Sequence, residues 1–329
     1  MNPDTRFTEA ILEWYALHGR DLPWRRTRDP YAIWLSEIIL QQTRIAQGQA
    51  YWERFMARFP RVEDLAAASE DEVLRLWEGL GYYSRGRNLL AAARQIAARG
   101  RFPETLEEIR ALKGVGDYTA AAIGSIAFNL PAAVVDGNVY RVLARYFGIG
   151  TPVGTTVAKK EFTALAQSLL PEDRPGDFNQ GMMDFGALQC TPAAPACLTC
   201  TLADSCIALK DGRVDSLPVR KAPAAVQTRH LVYAYLRCNG QTAIRRRGAG
   251  DIWQGLWEPL TELLPGLDAR LLRANVRHQL THRTLLADFY LIDCDTRPVL
   301  PDGYVWIDES ELDRYGKPRL FEMLLQTLD

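Results

Sequence analysis

The chain has 329 residues, a length that favours two domains over one, and 47% of them are hydrophobic, enough to fill sizeable cores. Its formal net charge of -1 excludes nucleic-acid binding driven by overall positive charge, so only local basic patches and backbone N–H groups remain for such a task. The chain starts without a signal-peptide pattern and contains no membrane-length apolar run, so we expect a cytoplasmic protein with no membrane partner.

The first 200 residues contain few strand patterns, which indicates an all-α domain. A strong helix is predicted from Pro30, and Glu37 interrupts its otherwise apolar run. Burial raises the pKa of a carboxyl group, as a general acid near neutral pH requires; a structural hydrogen bond in the core is the alternative. The polar residues Gln41, Gln42 and Thr43 stand at the end of this helix. Further helices are predicted at 5–18, 49–58, 70–78, 88–99, 139–147, 155–170 and 177–189.

The segment 78–88 combines glycines, two aromatic residues and two arginines. An aromatic tip at Tyr82 beside Arg85 and Arg87 suits a wedge between stacked bases that also holds phosphate. A tyrosine packed under a turn is the structural alternative.

Gly114, Val115 and Gly116 predict a tight turn between two helices. The backbone N–H groups of such a turn, and of the first turn of the next helix, lack helical partners and form a site for an anion. The small residues at 119–125 allow another backbone to pack closely.

A single acidic residue, Asp136, follows an apolar run and stands next to Gly137 and Asn138. Phosphate grip and carboxylate thus lie within one short segment, although Gly-Val-Gly alone also fits an ordinary helix–helix turn.

Four cysteines lie within 17 residues at the spacing C-x6-C-x2-C-x5-C: Cys190, Cys197, Cys200 and Cys206. In a cytosolic protein this clustering favours metal ligation over disulfides. Zinc and an iron–sulfur cluster both accept four thiolates, although the run lacks the two close Cys-x2-Cys pairs common in zinc sites.

Beyond residues 208–228, which are predicted to be a linker, the pattern changes to alternating strands. Strands are predicted at 229–237, 241–247, 276–281, 284–292 and 304–307, with helices near 268–274 and at 317–327. The sequence therefore predicts a small α/β domain after the helical one.

Together these residues resemble the adenine DNA glycosylase (MutY) family, from about Trp14 to Trp306. The turn is similar to the helix-hairpin-helix of DNA repair glycosylases, with Lys113 in place of a proline, and the cysteine spacing is that of the 4Fe-4S loop in the endonuclease III superfamily. The resemblance implies a helix-hairpin-helix glycosylase domain at 1–207 with its iron–sulfur loop at 190–206. A linker at 208–228 and a Nudix-like domain at 229–329 would follow.

The implied activity is base-excision removal of adenine opposite 8-oxoguanine or guanine from double-stranded DNA, by base flipping and without strand cleavage. Glu37 would protonate the adenine, and Asp136 would stabilise the oxocarbenium-like sugar. Tyr118 would orient the sugar and Asp136, and Asn138 would cap the helix that starts there. The resemblance assigns DNA contacts to Gln41, Gln42, Thr43, Tyr82, Arg85, Arg87 and the turn Gly114–Gly116. It further implies a monomer associated with the bacterial nucleoid.

In this family the Nudix-like domain reads 8-oxoguanine through a Phe-Ser-His loop, which here is Leu280, Thr281 and His282. Threonine keeps the hydroxyl group, whereas leucine loses the ring. The Nudix glutamate helix that would hold Mg²⁺ is missing from 267–273. The resemblance therefore implies a recognition module rather than a hydrolase.

Two alternatives remain at this stage. An endonuclease III-like bifunctional glycosylase shares the hairpin, the aspartate and the cysteine loop, but its nucleophilic lysine would stand where Tyr118 is. A non-catalytic iron–sulfur protein that binds DNA or senses redox state would have no need of both Glu37 and Asp136.

Overall fold

The structure, a computed structural model, describes residues 3–221, 227–280 and 283–328. The chain forms two compact units. The first combines Met1–Trp52 with Ala92–Ala222, and the second combines Glu53–Ala91 with Pro223–Asp329. Residues 53–91, which the sequence places with the helical domain, thus group with the C-terminal residues. The division into domains at 1–207 and 229–329 stays a prediction about the order of modules along the chain.

Polar residues mark the start of several helices. Asp29 accepts a hydrogen bond from the N–H of Tyr31 at 3.0 Å, directly before Pro30 at the first helical position. The helices of the described ranges are α1 (Pro3–His18), α2 (Pro30–Ile39), α3 (Ile45–Arg58), α4 (Val62–Ala67), α5 (Glu70–Leu76), α6 (Ser84–Arg99), α7 (Leu106–Arg110), α8 (Asp117–Phe128), α9 (Gly137–Tyr146), α10 (Thr156–Leu169), α11 (Pro175–Leu188), α12 (Ile207–Lys210) and α13 (Arg319–Leu325).

Two apolar clusters hold the first unit together. Aromatic side chains fill the larger one, among them Phe7, Phe162 and Phe185. The smaller one joins α2 to α8 through Ile33, Ala122 and neighbouring residues. The small residues of α8 let the backbone of α11 pack closely against it, as the sequence predicts. A Cβ on Gly176 of α11 would lie only 2.7 Å from the carbonyl oxygen of Ser125 in α8, a distance that leaves no room for a side chain.

The second unit contains a mixed sheet in the order β3-β2-β1-β5-β4, with β6 paired to β2. Its strands are β1 (Gln227–Cys238), β2 (Gln241–Arg246), β3 (Trp257–Glu258), β4 (Arg270–Gln279), β5 (Arg283–Asp293) and β6 (Tyr304–Asp308). β1 and β5 pair in parallel from Gln227↔Arg283 to Arg237↔Asp293, and the other pairs are antiparallel. Tyr233, Phe289 and Phe321 lie in the main core of this sheet. The expected order of an all-α domain and a small α/β domain is therefore confirmed.

Two sequence predictions need correction. The helix expected near 268–274 is the start of β4, because pairing with β5 overrides the helix propensity of its Leu, Ala and Arg residues. The register shifts near Leu271 and Arg273 show how irregular this strand is. In addition, α2 ends at Ile39, so Gln41, Gln42 and Thr43 belong to the turn that follows it.

Along the described ranges, no helix is both long and apolar enough to cross a membrane.

Candidate active site

A cavity of about 450 Å³ lies in the first unit and contains both predicted catalytic carboxylates. This volume is within the usual range for small-molecule sites. The lining side chains come from the connector before α2, from α2 and the turn after it, from α8, from the start of α9 and from α11. They include Arg20, Trp24, Arg25, Ser36, Glu37, Thr43, Arg44, Tyr118, Asp136, Asn138, Gln180 and Met183. The structure thus brings Glu37 and Asp136 together, as the sequence predicts.

Glu37 is held in α2, whose neighbouring side chains are almost all buried. Burial raises the pKa of Glu37 to about 7, the nearby charge of Arg25 lowers it, and that of Asp136 adds to the rise. A carboxyl group with this pKa carries a proton for much of the time near neutral pH. It therefore has the property that a general acid requires.

Asp136 is the N-cap of α9. Its Oδ1 accepts hydrogen bonds from the N–H groups of Asn138 and Val139, both at 2.8 Å, and its Oδ2 accepts one from the Asn138 side chain at 2.8 Å. The prediction that Asn138 caps this helix is therefore wrong: Asp136 is the cap, and Asn138 donates hydrogen bonds to its carboxylate. Burial raises the pKa of Asp136, and these hydrogen bonds oppose the rise by favouring the charged form.

Tyr118 stands in the first turn of α8 and lines the same cavity. Its hydroxyl donates a hydrogen bond to Sδ of Met183 at 3.4 Å. Burial and the charges of Glu37 and Asp136 hold the pKa of Tyr118 well above its usual range, so the phenol stays neutral. Of the described residues that line the cavity, none is a lysine. The nucleophilic lysine of the endonuclease III-like alternative is therefore not among them.

The turn after α2 contacts the start of α8, which follows the predicted helix-hairpin-helix turn. The side chain of Gln41 donates to Oγ1 of Thr119 at 3.2 Å, which ties the end of α2 to the first turn of α8. Gln42 is exposed and adopts a left-handed conformation at φ 56°, and Thr43 lines the cavity. Only Thr43 of these three is thus placed at the cavity wall, while Gln42 faces solvent at the turn.

The turn between α7 and α8 has the geometry that the two glycines predict. Gly114 has φ +80°, which favours glycine, and Val115 donates to the carbonyl of Leu112 at 3.1 Å. Gly116 is the N-cap of α8 and provides no side-chain cap. The N–H groups at the start of α8 are therefore not covered by a capping side chain, which suits an anion.

The predicted aromatic wedge lies in the second unit, on a loop that its neighbours hold in place. Tyr82 is 44% exposed and has φ 47°. Arg85, only 8% exposed, donates to the carbonyls of Leu80 and Gly81 at 3.2 and 3.4 Å. Its guanidinium is used inside the loop, so the phosphate contact expected of Arg85 does not fit this arrangement. Arg87 binds the carbonyl of Gln254 but stays half-exposed, and its phosphate role stays a prediction.

A cavity of about 680 Å³ in the second unit is lined by Tyr82, Arg87 and Leu280, together with Trp253 and His278. The structure thus brings the wedge and the first residue of the predicted lesion-recognition loop to one cavity. The N–H of Leu280 donates to the carbonyl of Arg283 at 2.8 Å, which closes the connection between β4 and β5. The other two residues of the loop, Thr281 and His282, lie outside the described residues.

The four cysteines follow α11 in a loop with two short 3₁₀ turns and end where α12 begins. All four are partly buried free thiols. Burial raises the pKa of Cys200 to about 11, and the charges of Cys190, Cys206 and Cys197 add to the rise. Among the described residues, no three His, Cys, Asp or Glu side chains are arranged as ligands for a single metal ion.

A buried arginine connects the cysteine loop to Asp136. Arg141 donates from Nε to the carbonyl of Cys190 at 2.7 Å and from Nη2 to Oδ1 of Asn138 at 2.8 Å. Asn138 in turn binds the Asp136 carboxylate. Close packing supports this series of hydrogen bonds. A Cβ on Gly186 of α11 would lie only 2.6 Å from the Cβ of Asn138, so no larger residue fits there without a shift.

Sequence reasoning missed several residues of the active-site region, four of which make the contacts described next. Arg25 and Gln180 line the cavity, Met183 contacts Tyr118, and Asp184 binds Arg25 from outside the cavity lining. The only signal in the sequence is a set of polar residues inside an otherwise apolar α11 pattern. It gives no partner, since the hydrogen bond from Arg25 to Asp184 spans 159 positions.

Comparison with known families assigns each half of the chain. The HhH-GPD superfamily of base excision DNA repair proteins matches residues 35–170, and the NUDIX domain matches residues 232–327. A solved structure described as a thermostable thymine-DNA glycosylase is similar over 63% of this chain and 97% of its own, with a TM-score of 0.59 and 34% identity.

Curated relatives agree with both matches. Adenine DNA glycosylase of Mus musculus is 45% identical over 66% of this chain and 45% of its own length. The chain thus spans less than half of that relative, as it does of those from human and rat. Adenine DNA glycosylase of Buchnera aphidicola subsp. Baizongia pistaciae is 31% identical over 85% of this chain and 84% of its own length. The chain therefore belongs to the adenine DNA glycosylase family.

Proposed function

We propose that this protein is a monofunctional DNA N-glycosylase that removes adenine from DNA as the first step of base-excision repair. The observation that carries the proposal is the single cavity that holds Glu37, with a pKa of about 7, and Asp136, fixed by three hydrogen bonds. Two carboxyl groups in different environments are what glycosidic-bond hydrolysis requires. Family membership supports adenine as the base that leaves.

In the proposed reaction, DNA presents a flipped adenosine to the cavity. Glu37 gives its proton to N7 of the base, and the bond from N9 to the sugar carbon C1′ breaks. Asp136 stabilises the positive charge that develops on the sugar. A water molecule then adds to C1′ and loses a proton, which leaves an abasic site and free adenine. Because Tyr118 takes the place of a lysine nucleophile, no Schiff base forms between the sugar and the enzyme, and the strand stays intact.

The DNA grip is proposed from three features. The uncapped start of α8 behind Gly114–Gly116 binds backbone phosphate, and Gln42 is exposed beside the cavity to meet the strand. Tyr82 is exposed on a braced loop and inserts between bases. With net charge -1, double-stranded DNA is bound through these local features by a monomer.

The base opposite adenine is proposed to be 8-oxoguanine or, less well, guanine. The second unit carries the NUDIX match, and residues 267–273, where a Nudix hydrolase would have its glutamate-rich helix, contain no glutamate. Leu280 lines a cavity with Tyr82, which supports recognition by the loop of Leu280, Thr281 and His282.

A 4Fe-4S cluster is the proposed cofactor. Cys190, Cys197, Cys200 and Cys206 would hold it, because four partly buried free thiols within 17 residues are the type and number of donors that such a cluster takes. When bound, the cluster would crosslink the loop through four thiolate bonds. A loop fixed in this way would also fix Asn138 at the active site, because Arg141 donates both to the carbonyl of Cys190 and to Oδ1 of Asn138.

The test is a single-turnover incubation with four duplexes, each analysed with and without hot alkali. They carry adenine opposite 8-oxoguanine, adenine opposite guanine, thymine opposite guanine, and thymine glycol opposite adenine. We expect breaks only after alkali, fastest for adenine opposite 8-oxoguanine. Direct nicking at thymine glycol would establish the endonuclease III-like alternative. Excision of thymine opposite guanine in preference to adenine would refute the assignment of the base.

A further inference from the structure

Asp184 is a fully buried carboxylate in α11 that the proposed reaction does not use, with 0% of its surface exposed. Its Oδ2 accepts from the backbone N–H of Arg20 at 2.9 Å and from Nη1 of Arg25 at 2.7 Å. Its Oδ1 accepts from Nε of Arg20 and Nη2 of Arg25, both at 2.9 Å, and from Nη2 of Arg20. Such complete pairing is needed because a buried charge that loses its partner strongly destabilises the fold.

Arg25 carries the influence of Asp184 into the cavity. It lines the cavity beside Glu37 and lies over the ring of Tyr15, 5.7 Å from the centroid. Its Nη1 also donates to the carbonyl of Arg20 at 3.1 Å. Both terminal nitrogens of the guanidinium are therefore directed at acceptors on the side of Asp184.

After Asp184, Glu37 is the carboxyl group whose charge acts on Arg25, and both side chains line the same cavity. A guanidinium presents its donors as a rigid fork and forms strong bidentate pairs with carboxylates. Such a pair with Glu37 would stabilise its ionised form and lower its pKa by about 1–3 units. Glu37 would then hold no proton near neutral pH and would fail as a general acid.

We propose that Asp184 is a positioning residue of adenine excision, which binds both terminal nitrogens of Arg25 and so keeps its guanidinium from pairing with Glu37. This inference rests on the proposed function, in which Glu37 must carry a proton. Arg25 then acts on Glu37 only through its charge and without a direct ion pair.

The pH dependence of excision is the property that separates positioning from mere structural support. The rate should fall at alkaline pH as Glu37 loses its proton, and charged neighbours set where this alkaline limb lies. Replacing Asp184 by asparagine removes one negative charge beside Arg25. The guanidinium of Arg25 is then free to pair with Glu37, which lowers the pKa of Glu37. Replacing Arg25 by glutamine removes the positive charge itself. The titratable and charged groups that face or line the cavity with Glu37 are Arg20, Arg25, Arg44, Tyr118 and Asp136.

The experiment measures single-turnover excision of adenine opposite 8-oxoguanine against pH, with the full chain. In Asp184→Asn we expect the alkaline limb to move to lower pH by about 1 unit or more, and in Arg25→Gln to higher pH. Asp177→Asn is the matched control, because Asp177 lies in the same helix, pairs with Arg174 at 3.3 Å and is partly exposed to solvent. Its alkaline limb should match that of the unchanged protein.

A lower rate in Asp184→Asn with an unmoved alkaline limb would overturn the proposal, since loss of packing alone lowers the rate at every pH. Should Asp184→Asn fail to fold, Asp184→Glu replaces it: the charge is kept, the carboxylate moves by one methylene group, and a smaller shift to lower pH is expected. An unmoved limb in that variant refutes the proposal as well. If the unchanged protein removes no adenine, the proposed function fails first.

Discussion

Asn138 binds both oxygens of the Asp136 carboxylate, with its backbone N–H on Oδ1 and its side-chain amide on Oδ2, each at 2.8 Å. The carboxylate is thereby fixed before any substrate is bound. The amide of Asn138 is itself fixed, because its oxygen accepts from Nη2 of Arg141 at 2.8 Å. Preorganised groups of this kind stabilise developing charge without reorganisation during the reaction.

Asn138→Ala should therefore slow adenine excision. It removes one charge-assisted hydrogen bond, of about 1.5–3 kcal/mol, from a carboxylate that must stabilise positive charge. We expect a decrease of about 10- to 150-fold in the single-turnover rate, with affinity for the DNA retained. The backbone hydrogen bonds to Oδ1 survive in this variant, so the protein should stay folded. An unchanged rate would mean that the side chain of Asn138 has no part in orienting Asp136.

Glu37→Gln should abolish acid catalysis and spare DNA binding. General acids contribute about 10²- to 10⁴-fold in rate, and glutamine cannot donate the proton. In the unchanged protein the pKa of Glu37 is about 7, so the rate should be highest below that pH and fall as pH rises through it. Glu9→Gln, an exposed change on α1, is the control and should behave like the unchanged protein. Excision that survives in Glu37→Gln would show that another group is the acid.

The sequence was informative where local pattern decides the outcome. Glu37 stands alone in an apolar helix, and Asp136 leaves an apolar run beside a glycine, so both could be identified without a structure. Gly114 could be placed because few residues other than glycine adopt a positive φ at low cost. In each case the reason lies within a few residues of the position.

The sequence was uninformative where distant segments meet. Nothing near Arg25 indicates that its partner is Asp184, because the pair forms only once α11 packs beside the connector before α2. The first half of the strand β4 was mistaken for a helix for the same reason: its pairing with β5 decides its conformation against local propensity. The burial of Arg85 was also hidden, since basic residues near an aromatic tip look alike whether they bind phosphate or carbonyl groups.

Asp117→Asn should strengthen DNA binding. Asp117 opens α8 at the proposed phosphate site, and its carboxylate accepts from Arg110 at 3.1 Å and Lys159 at 2.9 Å. Removing its charge releases both cations to phosphate and removes repulsion. We expect tighter binding at low salt and a salt dependence steeper by about one ion. Glu311→Gln, which removes an exposed charge paired with Arg314, is the control. Weaker binding in Asp117→Asn would place the DNA backbone away from the start of α8.

Cys200→Ser should remove the proposed iron–sulfur cluster. The purified chain is expected to contain iron and sulfide in equal amounts, and the variant should lose both together with DNA affinity. Cys294→Ser is the matched control, because Cys294 lies outside the loop and its thiol bonds to the carbonyl of Arg237. Zinc in place of iron, or iron that persists in Cys200→Ser, would contradict the proposed cofactor.

Tyr82→Ala and Thr281→Ala should separate two tasks. The exposed ring of Tyr82 is proposed to stack between bases, a contact of about 1–3 kcal/mol, so its loss should slow excision about 5- to 150-fold whichever base is opposite adenine. Thr281→Ala should slow excision opposite 8-oxoguanine and leave excision opposite guanine unchanged, since its hydroxyl is expected to read the lesion. Tyr82→Phe keeps the ring and serves as the control. Equal losses on both duplexes in Thr281→Ala would mean that this position supports DNA binding in general and that the lesion is recognised elsewhere.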